Sequence, residues 1–294
     1  MITELTEMYP QTNQTNASGQ DKTYAAEKLR GAAVMYAPAI VLDLFEAISV
    51  LATALGKLPD PQRSRAARIL RPIMTAGALL PWVYLLFVRP WHLSWGATGE
   101  DVRKRLPGDE LVPHPTLEST RAVTIGAPAE EVWRWLVQLG QDRGGMYSYD
   151  WLENLADLQM HSTEEIVPEL QDLEVGDLVR LAPERMGAEA GLRVAAMEVG
   201  RALVLHQPAD PESGRPHDRE DPDLGNYYGW NWVFVLEEVD ADSTRLIVRS
   251  RVDGRPRYLI KAFYTLLLEF PHFVMERGML KGIKRRAESA RSSR

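Results

Sequence analysis

The sequence predicts an α+β domain: a curved antiparallel sheet wrapped on a long C-terminal helix, with a helical segment ahead of it. Two observations carry this. Between Leu178 and Val252, short runs rich in branched and aromatic residues recur, separated by turns that hold Gly, Asp or Pro. From Pro256 to Arg291 the apolar residues follow a helical period instead, through Leu259, Phe263, Leu266, Leu267, Phe270, Val274 and Met275. Lys281, Lys284, Arg285 and Arg286 end that run with the positive charge a helix C-terminus favours.

The chain has 294 residues, long enough for a sizeable core, and its 45% hydrophobic and 26% charged residues are those of an ordinary globular protein. A net charge of -7 argues against a general nucleic-acid binder, which would carry a basic stripe. There is no cysteine, which excludes disulfides, thiolate metal sites and a cysteine nucleophile together. The polar start, residues 1–22, lacks the basic and apolar segments of a secretory signal and reads as a disordered tail.

Residues 23–95 read as a helical region. Val34, Val41, Leu44, Phe45, Ile48, Leu51 and Leu55 share one face, and Asp43 and Glu46 make a lipid-spanning helix costly there. Pro38 would kink that run or mark its start. Residues 72–88, PIMTAGALLPWVYLLFV, carry no charge and form the one candidate membrane segment, a little short for a full crossing. Trp91 and Trp95 would suit an interfacial belt. The alternatives are membrane attachment or a buried helix, hence a membrane-associated or a cytoplasmic protein. Residues 96–115 are rich in Gly and Pro and read as the domain boundary, so that 96–294 forms the main domain with its core over 117–291.

That domain opens with a strand, Ser119 to Ile125, then a helix from Ala129 to Leu139 that places Val132, Trp135, Leu136 and Leu139 on one face. A Gly144-Gly145 break leads to Tyr147, Tyr149 and Trp151, with Arg143 and Asp150 interleaved and Asp150 expected to cap a second short helix. Strands are expected over 178–181, 191–198, 202–207, 230–239 and 244–252. The insertion 209–225 holds six acids and two arginines and is either a lid or a solvated loop. Pro271 should kink the last helix.

The usual catalytic signatures are missing. His92, His114, His161, His206, His217 and His272 show no metal-ligand spacing, and there is no nucleophile elbow or phosphate loop, so neither metal nor cofactor is expected. What remains is aromatic and cationic. Trp230, Trp232, Phe234 and Leu236 share one face of their strand, and Asn231, Val233 and Val235 the other. In the following strand Arg245, Arg249 and Arg251 either point into a cavity, where they would suit a carboxylated apolar ligand, or point outward to Glu237 and Glu238. Because both faces of the Trp230 strand are apolar at its centre, something should cover the outer one: the N-terminal helices, a partner or a membrane.

The opening TRAVTIGAPAEEVWRWLVQLGQDRGGMYSYDWLENL and the closing GWNWVFVLEEVDADSTRLIVRSR resemble the SRPBCC or START-like helix-grip superfamily of polyketide-cyclase-like and pollen-allergen-like proteins, over about Trp91 to Glu288. More narrowly, they resemble a bacterial branch that usually carries no assigned activity. The resemblance implies a pocket lidded by the last helix, with Phe263, Leu267 and His272 on the lid. It also implies orienting groups among Arg143, Tyr147, Tyr149, Trp151, His206, Trp230, Trp232, Arg249 and Arg251. Asp150, His206 and His272 are the acid or base candidates. Three functions follow as expectations: binding of a hydrophobic small molecule or lipid, a cyclase or dehydratase using the same cavity, or a non-catalytic subunit that docks through its apolar surface. Aromatic packing and satisfied structural histidines are the plain alternatives for these residues.

Overall fold

The computed structural model describes residues 83–187, 190–207 and 227–292, with the isolated positions 69, 72, 75 and 77 before them. The tail over 1–22, the helix expected over 23–57 and the acidic insertion 209–225 lie outside these residues. The chain divides into two units, Met1–Leu86 and Phe87–Arg294. In the first, the described positions through Val83 are helical. Among the described residues no helix is long and apolar enough to cross a membrane.

The second unit begins with helix α1 (Arg89–Leu93) and helix α2 (Gly99–Arg103) and continues into strand β1 (Leu117–Ile125). Helices α3 (Ala129–Leu136) and α4 (Asp150–Leu155) precede β2 (Leu178–Arg180), β3 (Gly191–Glu198), β4 (Ala202–Gln207), β5 (Tyr228–Asp240) and β6 (Ser243–Gly254). The chain ends in α5 (Arg257–Phe263), a π-helical turn (Tyr264–Leu268) and α6 (Glu269–Ser292). The π turn lies just ahead of Pro271, whose ring has no N–H for the carbonyl four residues earlier. All six strands form one antiparallel sheet in the order β1-β6-β5-β4-β3-β2. With α3 and α6 packed on one side, this is the helix-grip arrangement.

The inner face buries Leu192, Val194, Leu203, Leu205, Trp232, Phe234, Leu246 and Val248 against Trp135 and Leu136 of α3 and Met279, Leu280 and Ile283 of α6. Strand parity puts the remaining side chains on the outer face, where Ala122, Val204, Val233, Val235 and Ile247 meet Leu106. The outer cover is the segment expected to be a loop. Thr98 and Asp101 form a reciprocal capping box that starts α2, and a 3₁₀ turn, Asp109–Leu111, follows. So neither a partner nor a membrane has to cover the centre of that face: residues 96–112 of the same unit do.

Arg249 anchors this cover. It is fully buried, and all its N–H directions are used: Nε donates to Thr120 Oγ1, and the two terminal nitrogens donate to Asp109 Oδ2 and to the carbonyls of Asp101, Val102 and Lys104. Arg251 donates to the Asp109 carbonyl and pairs with Glu118 at 2.8 Å. Arg245 pairs with Asp101, while Glu237 takes Lys104 instead. The cavity orientation considered for Arg249 and Arg251 is therefore corrected. Both point away from the tryptophans, because residues of one parity in β6 all leave the sheet on one side.

Candidate functional site

Trp230 and Trp232 leave β5 on the inner face with their rings stacked, centroids 5.6 Å apart and planes at 25°. Opposite Trp232 in register is Ser250, whose Oγ accepts the Trp230 indole N–H at 2.9 Å. His272, in the first turn of α6, stands edge-on to both tryptophans at 5.8 and 6.1 Å. One helical turn on, Glu276 accepts the Trp232 indole N–H at 2.7 Å and lies 3.4 Å from His272 Nε2. The other carboxylate oxygen of Glu276 receives Arg121 from β1, and Arg121 Nε also donates to the carbonyl of His92 at 2.8 Å. Arg121 and Glu276 are wholly buried, whereas the His272 side chain is 24% exposed.

The electrostatics follow from that burial. Burial alone would push the Glu276 carboxyl up, but Arg121 beside it, helped by His272, holds it well below the usual carboxylate range. It is an anion at neutral pH, with its charge balanced by Arg121. A neighbouring layer has the same make-up. Arg89 binds Glu269 at 2.8 Å, and His92 lies 3.6 Å from the same carboxylate. Burial, then the charges of Arg121 and Arg89, lower His92 to about 4, so its imidazole is neutral at pH 7. At the other end of the inner face Tyr228 of β5 and Tyr264 of the π turn stack and share a hydroxyl–hydroxyl bond. The arrangement is an aromatic wall with a buried, neutralised ion pair beneath it and one imidazole that reaches solvent.

Arg143, Tyr147, Tyr149, Trp151, Asp150 and His206, expected among the orienting or acid–base groups, make other contacts. Tyr147 is buried between Trp135, edge-on at 5.6 Å, and the Arg286 guanidinium 4.7 Å above its ring. Arg143 donates to the carbonyls of Val137 and Leu170. Tyr149 rests near Gly278 of α6, and Trp151 is mostly exposed. Asp150 does not cap α4; its carboxylate binds the Ser162 amide at 2.7 Å and hydroxyl at 2.6 Å. His206 is on the outer parity of β4 with Val204, buried, and burial lowers it to about 4. Phe263 and Leu267 are half-exposed or more rather than closed over the tryptophans. Of the expected residues the structure thus brings together Trp230, Trp232 and His272. Arg121 and Glu276 were missed, although Arg121 shares strand parity with Val123 and Ile125, and Glu276 follows His272 by one turn. Among the described residues no group of His, Cys, Asp or Glu could hold a metal ion.

No family model matches the chain, and no curated protein does. Solved structures similar to it include a hypothetical protein of Helicobacter pylori, 12% identical, with a TM-score of 0.35 over 62% of this chain and 95% of that one. Another is the di-domain ARO/CYC BexL from the BE-7585A biosynthetic pathway, 14% identical, with a TM-score of 0.28 over 58% of this chain and 46% of that one. A norcoclaurine synthase point mutant from Thalictrum flavum, in complex with a transition state analogue, is 14% identical, with a TM-score of 0.25 over 60% of this chain and 96% of that one. These likenesses are too slight to say what the chain binds, and the fold stands on its own sheet order and helices.

Proposed function

We propose that this protein binds a hydrophobic small molecule or lipid on the inner face of its sheet, between β5 and the start of α6. The observation that carries the reading is the stacked Trp230–Trp232 pair with His272 edge-on to both and the Arg121–Glu276 pair behind them. Aromatic faces offer a large apolar contact, and a single partly exposed imidazole fixes orientation, as ligand sites commonly do. Attachment to a membrane belongs to the same reading and is supported by the uncharged run over 72–88.

A second reading is an enzyme of the cyclase or dehydratase type. It is favoured by the proximity of His272 and Glu276, an imidazole and a carboxylate 3.4 Å apart, the residue types that serve as general acid and base. A ligand that co-purifies with the protein, identified by native mass spectrometry, would name the substrate class for either reading. Titration with an apolar naphthylamine probe then tests the site. Trp230→Ala should weaken the probe by about tenfold, the scale of one lost aromatic contact. Unchanged affinity in a folded variant would sink the assignment.

A further inference from the structure

The start of the C-terminal helical run carries a row of apolar side chains that the described structure leaves uncovered. Phe263 is 50% exposed, Leu267 60% and Phe270 45%. They follow one another along the helical run, on either side of and within the π turn. Helix α1 continues the row. Trp91, 54% exposed, packs on Phe273 at 5.3 Å, and Phe273 in turn meets Phe270 at 6.0 Å. Phe87, 70% exposed, precedes Trp91 by one turn. A contiguous apolar patch of this kind marks an interaction surface.

We infer that this row is where the domain rests on the surface of an anionic lipid bilayer. The inference rests on the membrane reading above and assigns the surface of contact. Two features choose lipid as the occupant. The uncharged run over 72–88 contains Phe87 and ends three residues before Trp91, so a run seated in lipid would hold these two aromatic residues near the interface. The solvent-accessible charges that precede the patch in the sequence are basic: Arg255, Arg257, 3.9 Å from buried Asp253, and Lys261, with no acid between Arg255 and Glu269. Glu269 itself is buried on Arg89. Aromatic residues flanked by cations are the make-up of an interfacial contact with anionic lipid.

The test is flotation of the full chain with phosphatidylcholine vesicles, with and without phosphatidylglycerol. The wild type should float, more strongly with phosphatidylglycerol and less so as salt is raised. Phe263→Glu with Leu267→Glu should lower partitioning at least about tenfold, at an unchanged melting temperature, since the helix loses its apolar contact with the interface. Arg257→Glu with Lys261→Glu should remove the preference for phosphatidylglycerol while leaving binding to neutral vesicles. If the wild type floats and the Phe263/Leu267 variant floats equally well, the assigned surface is wrong and the membrane reading stands. If the wild type does not float, both fail. A wild-type dimer that the same variant dissociates, with no vesicle binding, would overturn the inference in favour of a second copy.

Discussion

The indole N–H of Trp232 is donated to Glu276 across the inner face at 2.7 Å, which ties the centre of β5 to the first turns of α6. A hydrogen bond to an ionised group is worth roughly 1.5–3 kcal/mol. Trp232→Phe should therefore lower unfolding free energy by about 2 kcal/mol, partly through the donor and partly through lost area. Glu276→Leu should cost more, about 3–5 kcal/mol, because it strands Arg121 in the core. The double variant Arg121→Leu with Glu276→Leu should be less damaging than either single change. Denaturant melts of all four proteins check this, and additive losses would mean the two groups do not act as a pair.

Arg249 is predicted to be a fold residue with no role in ligand binding. Arg249→Met leaves the Asp109 carboxylate with only Arg251 and the Leu106 amide, and takes the donor from several carbonyls on the outer face. We expect a loss of about 3–5 kcal/mol with unchanged affinity for an apolar probe below the melting transition. A selective loss of probe binding would put the site on the outer face.

Gly282 lies where α6 crosses the turn at Tyr147. A Cβ there would stand 1.9 Å from the Tyr147 carbonyl oxygen, and that carbonyl is backbone that cannot swing aside. Helix propensity alone favours alanine over glycine by about 1 kcal/mol, so Gly282→Ala is expected to stabilise an isolated helix. In the folded chain we expect the opposite sign, a loss of about 1–3 kcal/mol or more from the overpacked contact. A raised melting temperature would contradict the packing described here.

Glu153 in α4 supplies a pH dependence. Burial, and then the charge of Asp150, raise its carboxyl to about 7 from an ordinary 4.5. The folded state thus holds a proton that the unfolded state releases. Its contribution is fully present below about 4.5 and is lost as pH rises through about 7. At about 1.4 kcal/mol for each tenfold change in proton affinity, this is at most about 3.5 kcal/mol. Buried His92 and His206 act in the opposite sense, losing stability as pH falls from about 6.5 towards about 4. The comparison must therefore be wild type against Glu153→Gln. The variant should gain relative stability as pH rises from about 4.5 to about 7, and a constant difference would show that Glu153 does not titrate there.

Most helices and strands of the main domain were legible because each depends on a local period, whereas α2, five residues long, is too short to show one and was expected as loop. β3 and β4 fall on the residues expected, the other strands grow or shrink by a few residues, and the helical run from Arg257 fits its apolar spacing. Trp230, Trp232 and His272 could be named as well, since large aromatics and a lone imidazole stand out in any reading. What the sequence did not show was which side of the sheet the arginines take and what covers the outer face. Alternation in β6 separates Arg249 from Val248 but does not say which of the two faces inward.

The sequence by itself determined the alternation of faces, the helical periods and the absence of cysteine chemistry, because these are properties of neighbouring residues. Only the tertiary structure decided that Arg121, from the first strand, and Glu276, from the last helix, neutralise each other beneath the tryptophans. Their 155-residue separation leaves no local trace. A buried charge is tolerable only with its partner, so the pairing is fixed by where the completed sheet and helix meet.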